Sequence, residues 1–591
     1  MQEIKKIFWK YKIQIFLVLC LILTISRITY HSDVVNAAKL TEIVANGNFS
    51  LVQKSTDGEL IYPSFFPPVF HFIDALIYYP FIKIGVYNFD LNKIPNEQLL
   101  SVGFLLKLRY FVLFILSLFL VVEIAKNYEK DIKTRGKIFL LWLLCPVLIF
   151  VPFSWGNMDI YPVFLLLLFL FFAFKKKYFW AMVFLGLSAA TKNFSLFLVI
   201  PVALILAKKN IKKTIWYGLI SFLIYLLPFL LYLKTSAVFL TGGDEGLFIL
   251  QKRLFDGPLF FPLVYFSMVL FLIIKQKVND FNKNEVLVKY CFLTLSMFYL
   301  ASFFIPHWFL WIMPFFILTA YKNRKFFYLY ILINITFFIG IFTWSRNIDM
   351  NLFAMTFPII NKVMTLGEFV AKFFPTFKIF EIINSLFFAT FACYLYILFF
   401  DKDKVLLKGN LFEKEINMFS IFPLVVFLTI SFVFVFGMTV IRNRDWYDIG
   451  LSSRGEVIGS IYDSGQFYQT FKSPNNKLMG INLFLSTYTK KITTPYKLVL
   501  YDETCKNKIL ESEIEVSKID DNAYREILFN EIKDSKDKEY CFTVEPIIKQ
   551  VATPITLHYS KYDSYNLGEL TVNNNKLKNE DVVFQLIYPL R

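Results

Sequence analysis

The chain has 591 residues, 57% of them hydrophobic and 19% aromatic, with 72 Phe and only 18% charged. Soluble domains run at about 45–50% apolar and about 25% charged, so a water-soluble monomer is excluded, as is a disordered chain, which needs low hydrophobicity. The net charge of +17 would suggest nucleic acid in a soluble protein, but in a membrane protein loop cations first report orientation, and no nucleic-acid partner is expected.

Mostly apolar windows, many near the length needed to cross about 30 Å of hydrocarbon as helix, recur through the first 440 residues. In chain order they are 13–29, 101–124, 138–153, 159–174, 178–191, 194–207, 214–233, 258–274, 286–304, 308–320, 325–343, 379–400 and 417–440. The sequence therefore predicts thirteen crossings. The first window follows Lys5, Lys6, Lys10 and Lys12 without a nearby small-x-small cleavage site, which marks an uncleaved anchor. Cations concentrate in alternate loops, at 126–137, 175–177, 208–213, 275–289, 322–325 and 402–414, and such loops stay cytoplasmic. The alternation requires that 67–85 does not cross. Pro67, Pro68, His71, Asp74 and Pro80 interrupt that run, as in a re-entrant or interfacial helix buried against protein. An outer loop is thus expected over 30–100, with the C-terminus also outside.

Near Arg442 the composition turns charged, and short period-2 runs recur at 457–462, 479–488, 496–502, 509–516, 540–547, 555–559 and 582–588. Regular short strands with polar turns predict a β-sandwich over 442–591, following a transmembrane domain over 1–441. Of the six Cys, which include no CxxC pair, Cys505 and Cys541 fall in this outer domain, where oxidation is allowed. Whether they are joined stays open at this point.

Candidate chemistry is sought where polar groups gather at one membrane face. His31-Ser32-Asp33, the run from Tyr62 to Pro68, Trp155-Gly156-Asn157-Met158-Asp159, Pro306-His307-Trp308, and Lys192 all fall on the outer side. Each has a plain reading too. Asp33 caps a helix over 34–45, Lys192 snorkels to headgroups, and His307 with Trp308 anchors at the interface.

The order of these segments, from Ser32 to Phe316, resembles the GT-C superfamily of polytopic glycosyltransferases that use polyprenyl-phosphate-linked sugars, and in particular GPI mannosyltransferase I and its prokaryotic relatives. The set comprises an outer-loop acid with Asn46-Gly47 after it, the Tyr/Pro motif at Tyr62, the Trp155 to Asp159 motif, Gly186 with Lys192 and Pro201, and His307 to Pro314. Those relatives often carry two acids flanking one residue in the first loop. Here the first position is His31, so no carboxylate-pair metal site is assigned, although a divalent metal stays open.

The resemblance implies a GT-C-like α-helical membrane enzyme; the strand pattern of 442–591 separately resembles jelly-roll modules of the carbohydrate-binding type, and the cation-rich loops predict that the active site and that domain lie outside the cell membrane. The GT-C resemblance implies transfer of a sugar, mannose by analogy, from a polyprenyl-phosphate donor to a glycan, lipid or protein acceptor, with inversion. Asp33 is the expected catalytic base. Lys192, with His307 and Arg253 behind it, is expected at the donor phosphate. His31, Tyr62, Asn157, Asp159 and Trp308 are expected to bind substrate. Asp244-Glu245 reads more simply as a solvated turn. Two rival readings are a transporter or flippase of a lipid-linked saccharide and a membrane-anchored binding module. For the latter, Tyr559, Tyr562 and Tyr565 beside Asp563 offer sugar-stacking faces, against a plain spacer or lid.

Overall fold

The computed structural model describes residues 2–45, 53–54, 60–61, 69–85, 98–230, 260–301, 305–322, 324–344, 350–357, 366–373, 376–400, 413–441, 461, 467–487, 494–514, 523–548, 554–560, 568–573, 575–577 and 581–588. The chain forms two compact units, one of 1–357 with 365–433 and one of 434–591 with 358–364.

The first unit is helical. Each apolar window falls on helix where it is described. Among the described residues four helices are long and apolar enough to cross a membrane: Leu99–Tyr128, Arg324–Phe342, Glu381–Phe399 and Glu415–Phe434. Two bent pairs raise the count to six: Gln2–Lys10 with Lys12–Ile28, bent by 72°, and Ile132–Leu143 with Pro146–Trp155, bent by 44°. Of the thirteen expected crossings this test of length and composition supports four to six; Ile160–Phe174, Tyr178–Thr191, Asn193–Leu206, Phe260–Ile274 and Pro306–Ala320 are shorter apolar helices. At 1.5 Å per residue, a helix of Ile160–Phe174's 15 residues reaches only about 22 Å.

Three local features place the site. Lys12–Ile28 ends where Thr29 turns extended, and after His31 the chain resumes as Ser32–Ala45. Pro146, which has no N–H to give, opens a new short helix after the break at Leu144. That helix runs into a π-helix, Phe150–Trp155, stopped by Gly156 in the left-handed region at φ +84°. A Cβ at Gly156 would lie 3.1 Å from both Lys107 Cε and Val34 Cβ, so backbone angle and space both call for glycine. At Gly186 a Cβ would stand 2.6 Å from the Ser221 carbonyl, and its absence lets Tyr178–Thr191 approach Ile211–Leu230 closely.

The segment expected to be re-entrant is a helix, Val69–Lys83, with Pro80 inside it, packed against Ser32–Ala45, Leu99–Tyr128 and Tyr178–Thr191. Asp74 does more than interrupt an apolar run. It is fully buried and paired with Arg109 at 2.7 Å. Thr41 donates to it at 2.6 Å and the Tyr161 hydroxyl also donates to it, while Arg109 donates to the Val34 carbonyl at 3.1 Å. Lys107 and Arg109, like Asp74, are buried among the helices.

In chain order the strands begin with a small hairpin, β1 (Gln53–Lys54) and β2 (Leu60–Ile61). The second unit holds β3 (Phe467–Lys472), β4 (Leu478–Ser486), β5 (Tyr496–Asp502), β6 (Lys508–Ile514), β7 (Ala523–Ile532), β8 (Glu539–Pro546), β9 (Thr556–Leu557), β10 (Tyr559–Ser560), β11 (Leu570–Val572), β12 (Asn575–Leu577), β13 (Asp581–Val582) and β14 (Phe584–Ile587). Among the described residues they form antiparallel sheets ordered β12-β11-β3-β8-β5-β6 and β14-β4-β7, with β9 also on β4. Strand β3 alternates buried and half-buried residues, so Phe467 and Phe471 enter a core shared with Leu483 of β4, Leu498 of β5, Phe542 of β8 and Phe584 of β14. Both sheets therefore line one apolar core. Cys505 and Cys541 are joined by a disulfide. Of the expected strand over 457–462 only Ile461 is described, and it is not in a strand. Strands β3, β7, β11 and β12 lie outside every run the sequence reading picked.

Candidate active site

His31 occupies the capping position of Ser32–Ala45. Its Nδ1 accepts the backbone N–H of Asp33 at 3.2 Å, and the same nitrogen lies 3.3 Å from Asp33 Oδ1. The cap is thus His31, and Asp33 sits inside the first turn with its carboxylate partly exposed.

Trp155, delivered by the π-helix, donates its indole N–H to Asp33 Oδ2 at 3.0 Å. Its ring meets His307 edge to face at a centroid distance of 5.0 Å and His31 at 5.8 Å. Burial alone would push the Asp33 carboxyl up. The hydrogen bond and charge of His31, the charge of His307 and the Trp155 N–H together outweigh burial and hold it below the usual carboxylate range.

Behind this pair lies a second cluster. Asp159, fully buried, accepts from Lys192 Nζ at 3.0 Å, and its other oxygen is 3.7 Å from His307 Nε2. That Oδ2 has no hydrogen-bond partner among the described residues, nor has His307 Nδ1. Asn157 Oδ1 accepts the Asp159 N–H at 3.0 Å, which fixes the turn into Ile160–Phe174. Lys192 stands in the extended break after Tyr178–Thr191, its ammonium 5.6 Å from the centre of the Trp311 ring. Trp311 stacks on Phe194 at 3.7 Å and on Trp308 at 5.0 Å, so Trp308 belongs to an aromatic wall beside the lysine.

The structure thus brings together His31, Asp33, Asn157, Asp159, Lys192, His307 and Trp308, all seven expected site residues that are described. Tyr62 and Arg253 lie outside the described residues, as do Asn46-Gly47, the rest of the Tyr/Pro motif to Pro68, Asp244-Glu245, and Tyr562, Asp563 and Tyr565. Three contributors had no assigned role in the sequence reading: Trp155, Trp311 and Lys107. Lys107 carried a usable signal, since a lysine midway along an apolar helix is costly and functional by default. Among the described residues no group of three or more His, Cys, Asp and Glu side chains could hold a metal ion.

The arrangement offers an ionised carboxylate with one partly exposed face, two nitrogen bases or cations within a few ångströms of a buried acid, and an aromatic wall. That set can take a proton from a hydroxyl and stabilise an anion nearby. Compared with models of known protein families and with curated proteins, the chain matches none.

Proposed function

We propose that the protein is a GT-C-type glycosyltransferase that moves a sugar, mannose by resemblance, from a polyprenyl-phosphate donor to a glycan, lipid or protein acceptor outside the cell membrane. The observation that carries this reading is the convergence of Asp33 with Lys192, His307 and Asp159 around Trp155 from four separate stretches of chain. Asp33 takes the proton of the acceptor hydroxyl as its oxygen attacks the anomeric carbon. The bond from that carbon to the phosphate oxygen breaks on the opposite face, and the configuration inverts. Lys192 and His307 stabilise the charge that develops on the departing lipid phosphate. Asp159 holds the Lys192 ammonium in place and faces the His307 ring, a role its burial supports better than contact with sugar hydroxyls. In this reading the five short apolar helices, with Ile211–Leu230 and Lys283–Ala301, complete a bundle of thirteen crossings, the Asp33 face is extracytoplasmic, and the second unit is a jelly-roll sandwich on the same side.

A transporter would also be polytopic and place ionisable groups within the bilayer. The Asp74–Arg109 pair is such a group, but with Thr41, Tyr161, Tyr110 and the Val34 carbonyl as partners it reads as an internal brace. The test is to offer purified membranes a panel of labelled polyprenyl-phosphate sugars and measure release of lipid phosphate. Turnover of one sugar supports transfer; binding or translocation of a lipid-linked sugar without cleavage supports the transporter.

A further inference from the structure

Lys107 lies on Leu99–Tyr128 and is 1% exposed. Among the described residues no carboxylate pairs with it. Its ammonium has three N–H groups and donates to three oxygens: the Thr29 carbonyl at 2.9 Å, the Thr29 hydroxyl at 2.9 Å and the Ser154 carbonyl at 3.3 Å. A lysine buried without a counter-ion is expensive, and the cost is offset only if its hydrogen bonds are complete.

The positions of those oxygens matter more than their number. Thr29 opens the corner that leads through His31 to Asp33, and Ser154 precedes Trp155. One ammonium therefore ties together the two stretches whose side chains meet in the Trp155–Asp33 hydrogen bond. Gly156, immediately after Trp155, is free of a Cβ where Lys107 Cε passes. Two residues along the same helix, Arg109 donates to the Val34 carbonyl on the far side of Asp33. The corner is held from both flanks.

We propose that Lys107 is a positioning residue that sets the geometry of the Asp33–Trp155 pair by clamping the Thr29 and Ser154 carbonyls. Its effect on turnover rests on the transferase reading, whereas its effect on the pair does not. Asp33 faces His31, His307 and the Trp155 N–H. A looser corner weakens these contacts without removing any of the groups themselves.

The experiment uses full-length protein in lipid nanodiscs, labelled with 5-fluorotryptophan. The Trp155 resonance is identified by its loss in Trp155→Phe, and its pH titration reports protonation of Asp33. Lys107→Met keeps the chain's bulk and removes the donors. Thr29→Val leaves the ammonium and removes one of its acceptors, which serves if Lys107→Met does not fold. The expected result is an upward shift of the titration midpoint on the order of 1 pH unit in Lys107→Met and a smaller one in the same direction in Thr29→Val. On an accepted donor, kcat falls with KM little changed. An unmoved midpoint in folded Lys107→Met, or in Thr29→Val where Lys107→Met does not fold, overturns the clamp. If wild-type protein turns over no donor, the transferase reading fails and the fluorine titration still decides the role of Lys107.

Discussion

Trp155 donates its indole N–H to Asp33 Oδ2 at 3.0 Å, joining residues 122 apart in sequence. The bond leaves Oδ1 facing His31 and holds the carboxylate in one orientation. A base that must meet an incoming hydroxyl gains from such fixing, since misplacement by about 1 Å can cost about 10²-fold in rate.

The His31 contact predicts a pH effect of definite sign. Asp33 is held below the usual carboxylate range despite burial, with His31 the first of the groups that lower it. Its ionised form therefore persists to pH values below the ordinary carboxylate pKa, and activity on the acid side fails only as pH falls through the depressed value. In His31→Ala the lowering contact is lost, and the acid limb of kcat/KM should move to higher pH. A pH profile of the two proteins on the same donor measures this; superimposable acid limbs would remove His31 from the electrostatics of the site.

Lys192 and Asp159 predict a coupled pair. In Lys192→Met a fully buried carboxylate loses its 3.0 Å partner, and breaking such a pair costs about 3–5 kcal/mol. The melting temperature should fall along with donor use. Lys192→Arg should keep part of both, as either cation can hold a phosphate, though with different geometry. Adding Asp159→Asn to Lys192→Met should restore melting temperature without restoring turnover, which thermal unfolding and a donor assay read separately.

The cation-rich loops predict a sidedness that labelling can test. Ser32→Cys and Asn36→Cys, at exposed positions beside the site, should react with an impermeant thiol reagent on intact cells, while Lys176→Cys and Asn210→Cys should not. Ser154 to Asp159 are buried and would report accessibility of the fold instead of the side of the membrane. Labelling at Lys176→Cys would reverse the orientation and move the site to the cytoplasmic face.

For the second unit, a secreted fragment of 445–591 should fold cooperatively as a β-rich domain, since both sheets share one core. The Cys505–Cys541 disulfide spans 36 residues, and removing a native disulfide costs about 2–5 kcal/mol in small secreted domains. Denaturant unfolding with and without reductant measures the loss, and equal midpoints would show that the bond contributes nothing to stability.

The sequence made helices and site residues legible for the same reason: in a chain this apolar, a polar residue stands out. Asp33, Asp159, Lys192 and His307 could be picked out singly. Their pairings could not, because Asp159 meets Lys192 only through packing of separate helices. Lys107 went unmarked inside an apolar run, where composition averaged it away, and Asp74 stood out only as an interruption, without its partner Arg109. In the second unit, β4, β5 and β8 showed period-2 runs, but β7 did not. Its Tyr524, Ile527, Leu528 and Ile532 are spaced three and four apart like a helix face, and pairing with β4 along most of its length decides its conformation instead. The span count is matched only in part, since an apolar window carries no mark of how short its helix will be.

In the proposed transfer of sugar from a lipid phosphate, Asp33 accepts the proton of the attacking hydroxyl. The most direct measurement compares wild type with Asp33→Asn on the labelled donor that wild type accepts, with melting temperature followed in parallel. The amide keeps the size of the side chain and an oxygen to meet the Trp155 N–H, but it cannot take the proton. Release of lipid phosphate should fall by about 10²–10⁴-fold while the protein stays folded. Equal turnover in folded Asp33→Asn would contradict the account.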